Sequence, residues 1–154
     1  MITIKPMNRD EFQQYINFAI EDYAKDKIAS GNWHVDEAIE LSRESFTRLL
    51  PEDEKTDLNY LFSIFHNDTL VGMIWISQKS PTNLEEGFIY DFIIYEQYQG
   101  RGYAKAAMKE VEIVAKGMGM NKIGLHVFGH NKIARGLYEK MGYEITNITM
   151  AKSI

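Results

Sequence analysis

The stretch QYQGRGYAKAAM, Gln97 to Met108, sets two glycines around an arginine and follows them with an unbroken run of good helix formers. Glycine there costs helix propensity and backbone entropy, so its use twice before a helix marks a place where bare backbone is needed. A strand, a glycine-rich turn and a helix start together make an anion site. The free N–H groups of the first turn point outward, and the helix dipole favours negative charge. The pattern alone supports two readings equally: phosphate or pyrophosphate binding, and a tight connection that needs glycine only for its turn.

Outward from that point, FIYDFIIYE (88–96) is nearly all apolar, as a strand covered on both faces and central in its sheet would be. The helix after the glycines is expected to run to about Lys116, with Ala104, Ala107, Met108, Val111, Val114 and Ala115 as its face and Gly117 and Gly119 as its end. KIGLHVF (122–128) predicts another strand, NKIARGLYEKM (131–141) a helix closed by Gly142, and YEITNITMA (143–151) a last strand. Upstream, ITIKP stops at Pro6 as an edge strand, and Asn8 caps a helix whose apolar face is Phe12, Tyr15, Ile16, Ala19, Ile20 and Tyr23. Gly31 and Asn32 break that helix. A second fits Val35 to Leu50, with Ala38, Leu41, Phe46 and Leu49 inward and Pro51 closing it. LNYLFSIF and LVGMIWISQ form a hairpin around HNDT, and SPTNLEEG is a further turn. The order β-α-α-β-β-β-α-β-α-β, without repeat or linker, predicts one α/β domain over residues 1–154.

Composition narrows the function. At 154 residues and 45% hydrophobic content the chain has enough apolar surface for a substantial core. It contains no cysteine, which excludes disulfides, thiolate metal sites and a cysteine nucleophile. No apolar run is long enough to span a bilayer, and MITIKPMNRDEF lacks a signal-peptide core, so a cytoplasmic protein is expected. The net charge of −5, with no Lys/Arg stripe, argues against nucleic acid and suits a cationic small molecule or a basic peptide end.

Two common phosphate motifs fail. G-x-x-x-x-G-K-[ST] is absent, and G-x-G-x-x-G is broken by Lys105, three positions after Gly102. What the stretch resembles is motif A of the GCN5-related N-acetyltransferase (GNAT) superfamily, Q/R-x-x-G-x-G/A. It is carried by Gln99-Gly100-Arg101-Gly102-Tyr103-Ala104 or, one register earlier, by Gln97 with Gly100 and Gly102. The first register is preferred, because relatives commonly place an aromatic residue, then Gln or Arg, then Gly directly before this helix. FGHNKIARGLYEKMGYE resembles motif B, with Asn131, then Ala134 to Tyr138, then the stretch ending at Tyr143. The likeness is nearest to the ribosomal-protein-type branch and its uncharacterised bacterial relatives. It implies a single domain with a mixed, mostly antiparallel sheet flanked by helices.

The resemblance also implies a site. Acetyl-CoA would be the acyl donor, with no metal. Its pyrophosphate would rest on Gln99, Gly100, Arg101, Gly102, Tyr103, Ala104 and Lys105, and its pantetheine arm would lie along Phe92, Ile93 and Ile94. Asn131 would touch that arm, and its type and place also suit an N-cap. Tyr138 would give the leaving thiolate a proton or a strong hydrogen bond. His126 stands where the ribosomal-protein branch carries a catalytic glutamate, and an imidazole can take the acceptor's proton. Asp91 is the second candidate base, since a carboxylate in so apolar a run either meets a specific partner or faces a cleft. Strict alternation would turn Tyr90 away from Asp91. The acceptor should bind between roughly Tyr23 and Glu52, where Trp33 and the nearby Glu21 and Asp22 suit a cationic amine.

The leading expectation is therefore direct acetyl transfer to a primary amine of a peptide, protein or small molecule. The alternative is a CoA-binding sensor or scaffold without turnover, and a nucleotide-binding regulatory domain is weakened by the failed motifs. Neither nucleic acid nor membrane is expected as a partner. A homodimer is, because YEITNITMA offers an edge for pairing and dimers are common in the superfamily.

Overall fold

The computed structural model describes residues 1–154. The order is β1 (Ile2–Pro6), α1 (Arg9–Ala29), α2 (Ala38–Leu49), β2 (Asn59–His66), β3 (Thr69–Ser80), β4 (Asn83–Ile94), α3 (Tyr103–Gly117), β5 (Lys122–Leu125) and α4 (Lys132–Lys140), with short 3-10 turns at Asp53–Lys55 and Glu96–Tyr98. The strands form one sheet in sequence order. β1 to β4 pair antiparallel, and β5 joins β4 in parallel. This is the mixed, mostly antiparallel α/β sheet flanked by helices that the resemblance implies.

Local chemistry explains the elements. Asn8 caps α1 through Glu11 N–H, and the Glu11 side chain returns the bond to Asn8 N–H, a complete capping box. Apolar residues alternate along the strands and divide the core between the two faces. Ile74, Ile76, Ile89 and Ile94 meet Ala107, Met108 and Val111 of α3 on one face. Met73, Trp75 and Leu61 meet Phe12, Tyr15 and Phe46 of α1 and α2 on the other. Gly72 lets β3 and β4 approach closely, since a Cβ there would lie 2.1 Å from the Ile93 carbonyl oxygen.

Five expectations need correction. The segment after α4 forms no strand, and Ile145, Ile148 and Met150 lie exposed, so α4 is the last element and β5 the sheet edge. The edge that motivated a homodimer is therefore not formed. With no strand beyond β5, β4 is fourth of five rather than central. The turn before β4 is tighter than SPTNLEEG implies, because β3 runs to Ser80 and β4 starts at Asn83. β5 ends at Leu125, which leaves His126 to Phe128 outside the ladder. The alternation of β4 breaks between Ile89 and Asp91, where Trp75 pairs with Asp91 but Ile76 pairs with Ile89. Tyr90 is the extra residue of a β-bulge.

Candidate active site

The bulge brings two side chains to one side. Tyr90 stacks on Trp75 with ring centroids 4.7 Å apart, and Asp91 accepts a 2.7 Å hydrogen bond from the Tyr15 hydroxyl of α1. Both therefore face α1 and α2, against the strict alternation expected of them. They line a cavity of about 340 Å³. Its walls come from α1 (Ala19, Asp22, Tyr23, Asp26), α2 (Ser45, Phe46, Leu49), β4 (Phe88 to Ile93), the segment leaving β5 (His126 to Phe128) and α4 (Asn131, Ala134, Tyr138).

The cavity exists because β4 and β5 part. They pair only from Glu86 with Lys122 to Ile89 with Leu125, after which β4 continues to Ile94 without a neighbour on that side. Part of the freed edge is satisfied within the chain. Phe92 N–H donates to Asp91 Oδ1 at 3.0 Å, and the Gln99 side chain donates to the Ile94 carbonyl at 2.8 Å.

The titratable groups are strongly biased. Burial pushes the Asp91 carboxyl up to about 6, with the charges of Asp22 and Asp26 adding to it and the bonds from Tyr15 and Phe92 opposing. Burial, then the Asp91 charge, pushes the Tyr138 phenol up to about 12. Burial and the Lys27 ammonium hold His126 below the ordinary imidazole value. Asp22 is raised, by burial first and by Asp26 second. The lining carries no lysine or arginine, so the carboxylates of Asp22, Asp26 and Asp91 set its sign. Asp26 also lies 3.0 Å from His130 Nε2.

Tyr138, His126, Asp91 and Asn131 thus meet in one cavity, together with Phe92 and Ile93. Ile94 instead packs in the core on the α3 side. Asn131 caps α4, accepting from Ala134 N–H at 3.3 Å. Of the expected acceptor region, Asp22, Tyr23, Asp26, Ser45, Phe46 and Leu49 reach the cavity. Trp33 sits behind Tyr23, edge-on at 5.6 Å, and Glu21 is exposed and outside the lining. Within the expected region sequence reading did not single out Asp26 or Phe46 for the site, and outside it missed Phe128 and Tyr15. Asp26 lies one helical turn after Asp22, a spacing that already placed both on one face.

Gln99 to Lys105 do not line this cavity. They form the turn from β4 into α3. Gly100 and Gly102 take positive φ of 77° and 80°, and Gly102 is the N-cap. The amides from Gly100 to Lys105 donate to no carbonyl or side chain of the protein, which leaves a row of N–H groups at the positive end of a 15-residue helix. These residues fit an anionic diphosphate, and β4 runs directly from the cavity towards them.

Known proteins share this fold. The model of the acetyltransferase (GNAT) family matches residues 18–143. An uncharacterised N-acetyltransferase of Bacillus subtilis (strain 168), YycN, is 40% identical over 154 residues, 99% of each chain. Its crystal structure superimposes with a TM-score of 0.96 over 100% of this chain and 99% of that one, at 39% identity. A second uncharacterised N-acetyltransferase of the same organism, YdgE, is 33% identical over 153 residues, covering 99% of this chain and 98% of its own. The fold is shared with the PaiA N-acetyltransferase of Thermoplasma acidophilum, solved in complex with coenzyme A, at a TM-score of 0.73 and 18% identity over 97% and 93% of the two chains.

Proposed function

The chain belongs to the acetyltransferase (GNAT) family, and from that premise we propose that it transfers acetyl from acetyl-CoA directly to a small cationic amine held in the cavity between α1, α2 and β4. One observation carries the reading: Asp91, His126 and Tyr138 converge where β4 and β5 part, in a pocket whose formal charges are all carboxylates. Aromatic faces at Tyr23, Phe46 and Tyr90 add a surface that attracts ammonium groups.

Acetyl-CoA supplies the acetyl thioester. The amides of Gly100 to Lys105 and the αL glycines suit its pyrophosphate, the open edge of β4 at Phe92 to Ile94 suits its pantetheine arm, and Asn131 would flank that arm. The coenzyme A complex of PaiA, which shares the fold, is in keeping with this. No cysteine is available for an acyl-enzyme, which favours direct attack.

We assign proton acceptance to Asp91 rather than His126. A carboxyl raised to about 6 is ionised at neutral pH and can take the proton that the amine nitrogen gives up as it attacks the thioester, when that N–H has become far more acidic, directly or through water. His126 is held below its ordinary value by burial and Lys27, and no hydrogen bond fixes its ring, whereas Tyr15 and Phe92 fix the Asp91 carboxylate. Tyr138 acts as a hydrogen-bond donor. A phenol near 12 loses its proton reluctantly to a thiolate whose ordinary conjugate acid titrates near 8.5, a gap of about 3–4 units or roughly 5 kcal/mol. A donated bond to the departing sulfur avoids that cost.

Mutagenesis separates the two bases. Asp91 loses function as it is protonated, so kcat/KM should fall as pH drops through about 6. Asp91→Asn should remove that acid limb and lower the rate by about 10²–10⁴-fold, whereas His126→Ala should keep it. An Asp91→Asn enzyme with the wild-type rate and limb would refute the assignment.

A further inference from the structure

Tyr15 does not line the cavity, yet it is buried in α1 at 2% exposure and gives its hydroxyl to Asp91 across 76 residues of sequence. We propose that Tyr15 is a positioning residue for acetyl transfer: it holds the Asp91 carboxylate in one orientation and in its ionised, proton-accepting form. This rests on the base assignment above and goes beyond it to a residue that touches neither substrate.

The geometry carries the inference. Asp91 Oδ2 accepts from Tyr15 at 2.7 Å and Oδ1 accepts from Phe92 N–H at 3.0 Å, so both oxygens are tied and the carboxylate cannot rotate. An ionised carboxylate has about four lone-pair positions. The two donors therefore fix its plane and leave the other positions for a proton. Packing alone does not need the hydroxyl. Tyr15 sits edge-on to Phe12 at 6.5 Å among apolar neighbours, where a phenylalanine would fill the same space. The hydroxyl instead commits a buried donor to a partly buried acid on another element.

Several other groups face Asp91. Asp22 and Asp26 approach from α1, Tyr138 from α4, His126 from the segment after β5, Tyr90 from the bulge and Tyr95 from beyond β4, whereas α2 contributes no titratable group. The two aspartates and burial all favour protonation of Asp91, and the Tyr15 bond opposes them. Without that donor, Asp91 holds its proton to higher pH.

The test is a carboxyl-carbon NMR titration of Asp91 in wild-type and Tyr15→Phe protein, free of ligand. In parallel, kcat/KM is measured against pH with acetyl-CoA and the amine that releases most thiol from a panel. The expected result is a folded Tyr15→Phe protein whose Asp91 midpoint and acid limb both move up by about one unit. Its activity at pH 6 then falls about five- to tenfold and recovers by pH 8.5. An unmoved Asp91 midpoint, or a loss equal at every pH, would overturn the proposal and leave Tyr15 a packing residue. If Asp91→Asn keeps the wild-type limb, the base assignment and this inference fall together. If it loses the limb while Tyr15→Phe is unshifted, only the Tyr15 inference falls. Should Tyr15→Phe fail to fold, 3-fluorotyrosine at position 15, a stronger donor, must move the midpoint down, and no movement would contradict the proposal.

Discussion

Tyr138 carries the sharpest prediction about a single side chain. Its ring packs against Tyr143 at 5.9 Å and against the α3-side core, and only its hydroxyl is available for chemistry. Tyr138→Phe should therefore keep fold and acetyl-CoA affinity while turnover drops about 10²–10⁴-fold, read by calorimetry and by thiol release. A rate within twofold of wild type would remove Tyr138 from the reaction. Sequence made this residue readable because motif spacing placed it. Asp91 was readable for a physical reason: a carboxylate within FIYDFII needs a partner or a cleft, and the fold provides both. Tyr15 was not. On its helix it looks like any other member of the apolar face, and its hydroxyl gains meaning only when β4 arrives 76 residues later.

Elements whose signals are local were read well, and those that depend on pairing were not. The Asn8 cap, the glycine turn and the face of α3 all follow from neighbours in sequence. The bulge at Tyr90 is a mismatch of register with β3, which β4 cannot show on its own. The short β5 and the missing last strand are likewise decided by pairing, although KIGLHVF and YEITNITMA both carry strand-like residues. The glycine turn supports a direct test. Gly102 sits at φ 80°, where an L side chain is strained, and a carboxylate there would confront any bound anion. Gly102→Asp should lose the rise in melting temperature that acetyl-CoA gives the wild type. A folded Gly102→Asp protein with unchanged acetyl-CoA affinity would refute the phosphate cradle.

Across the molecule, the fold puts one acidic, aromatic-lined cavity at one end of the open β4 edge and a row of unpaired amides at the other. A donor bound by the amides and laid along β4 would bring its acyl group to Asp91 and Tyr138. An amine entering between α1 and α2 would meet it from the other side. A CoA sensor would need only the amides and the strand edge. Asp22, Asp26 and the aromatic lining would serve it nothing, so turnover is what separates the two. The decisive measurement is release of free thiol from acetyl-CoA by purified protein across a panel of peptide N-termini, lysine side chains, polyamines and small monoamines, with mass spectrometry of each amine. Transfer to small cationic amines, strongest where a second positive charge can meet Asp22 or Asp26 and weak for peptides, is the predicted result. Acetyl-CoA binding without thiol release for any amine in the panel would contradict it.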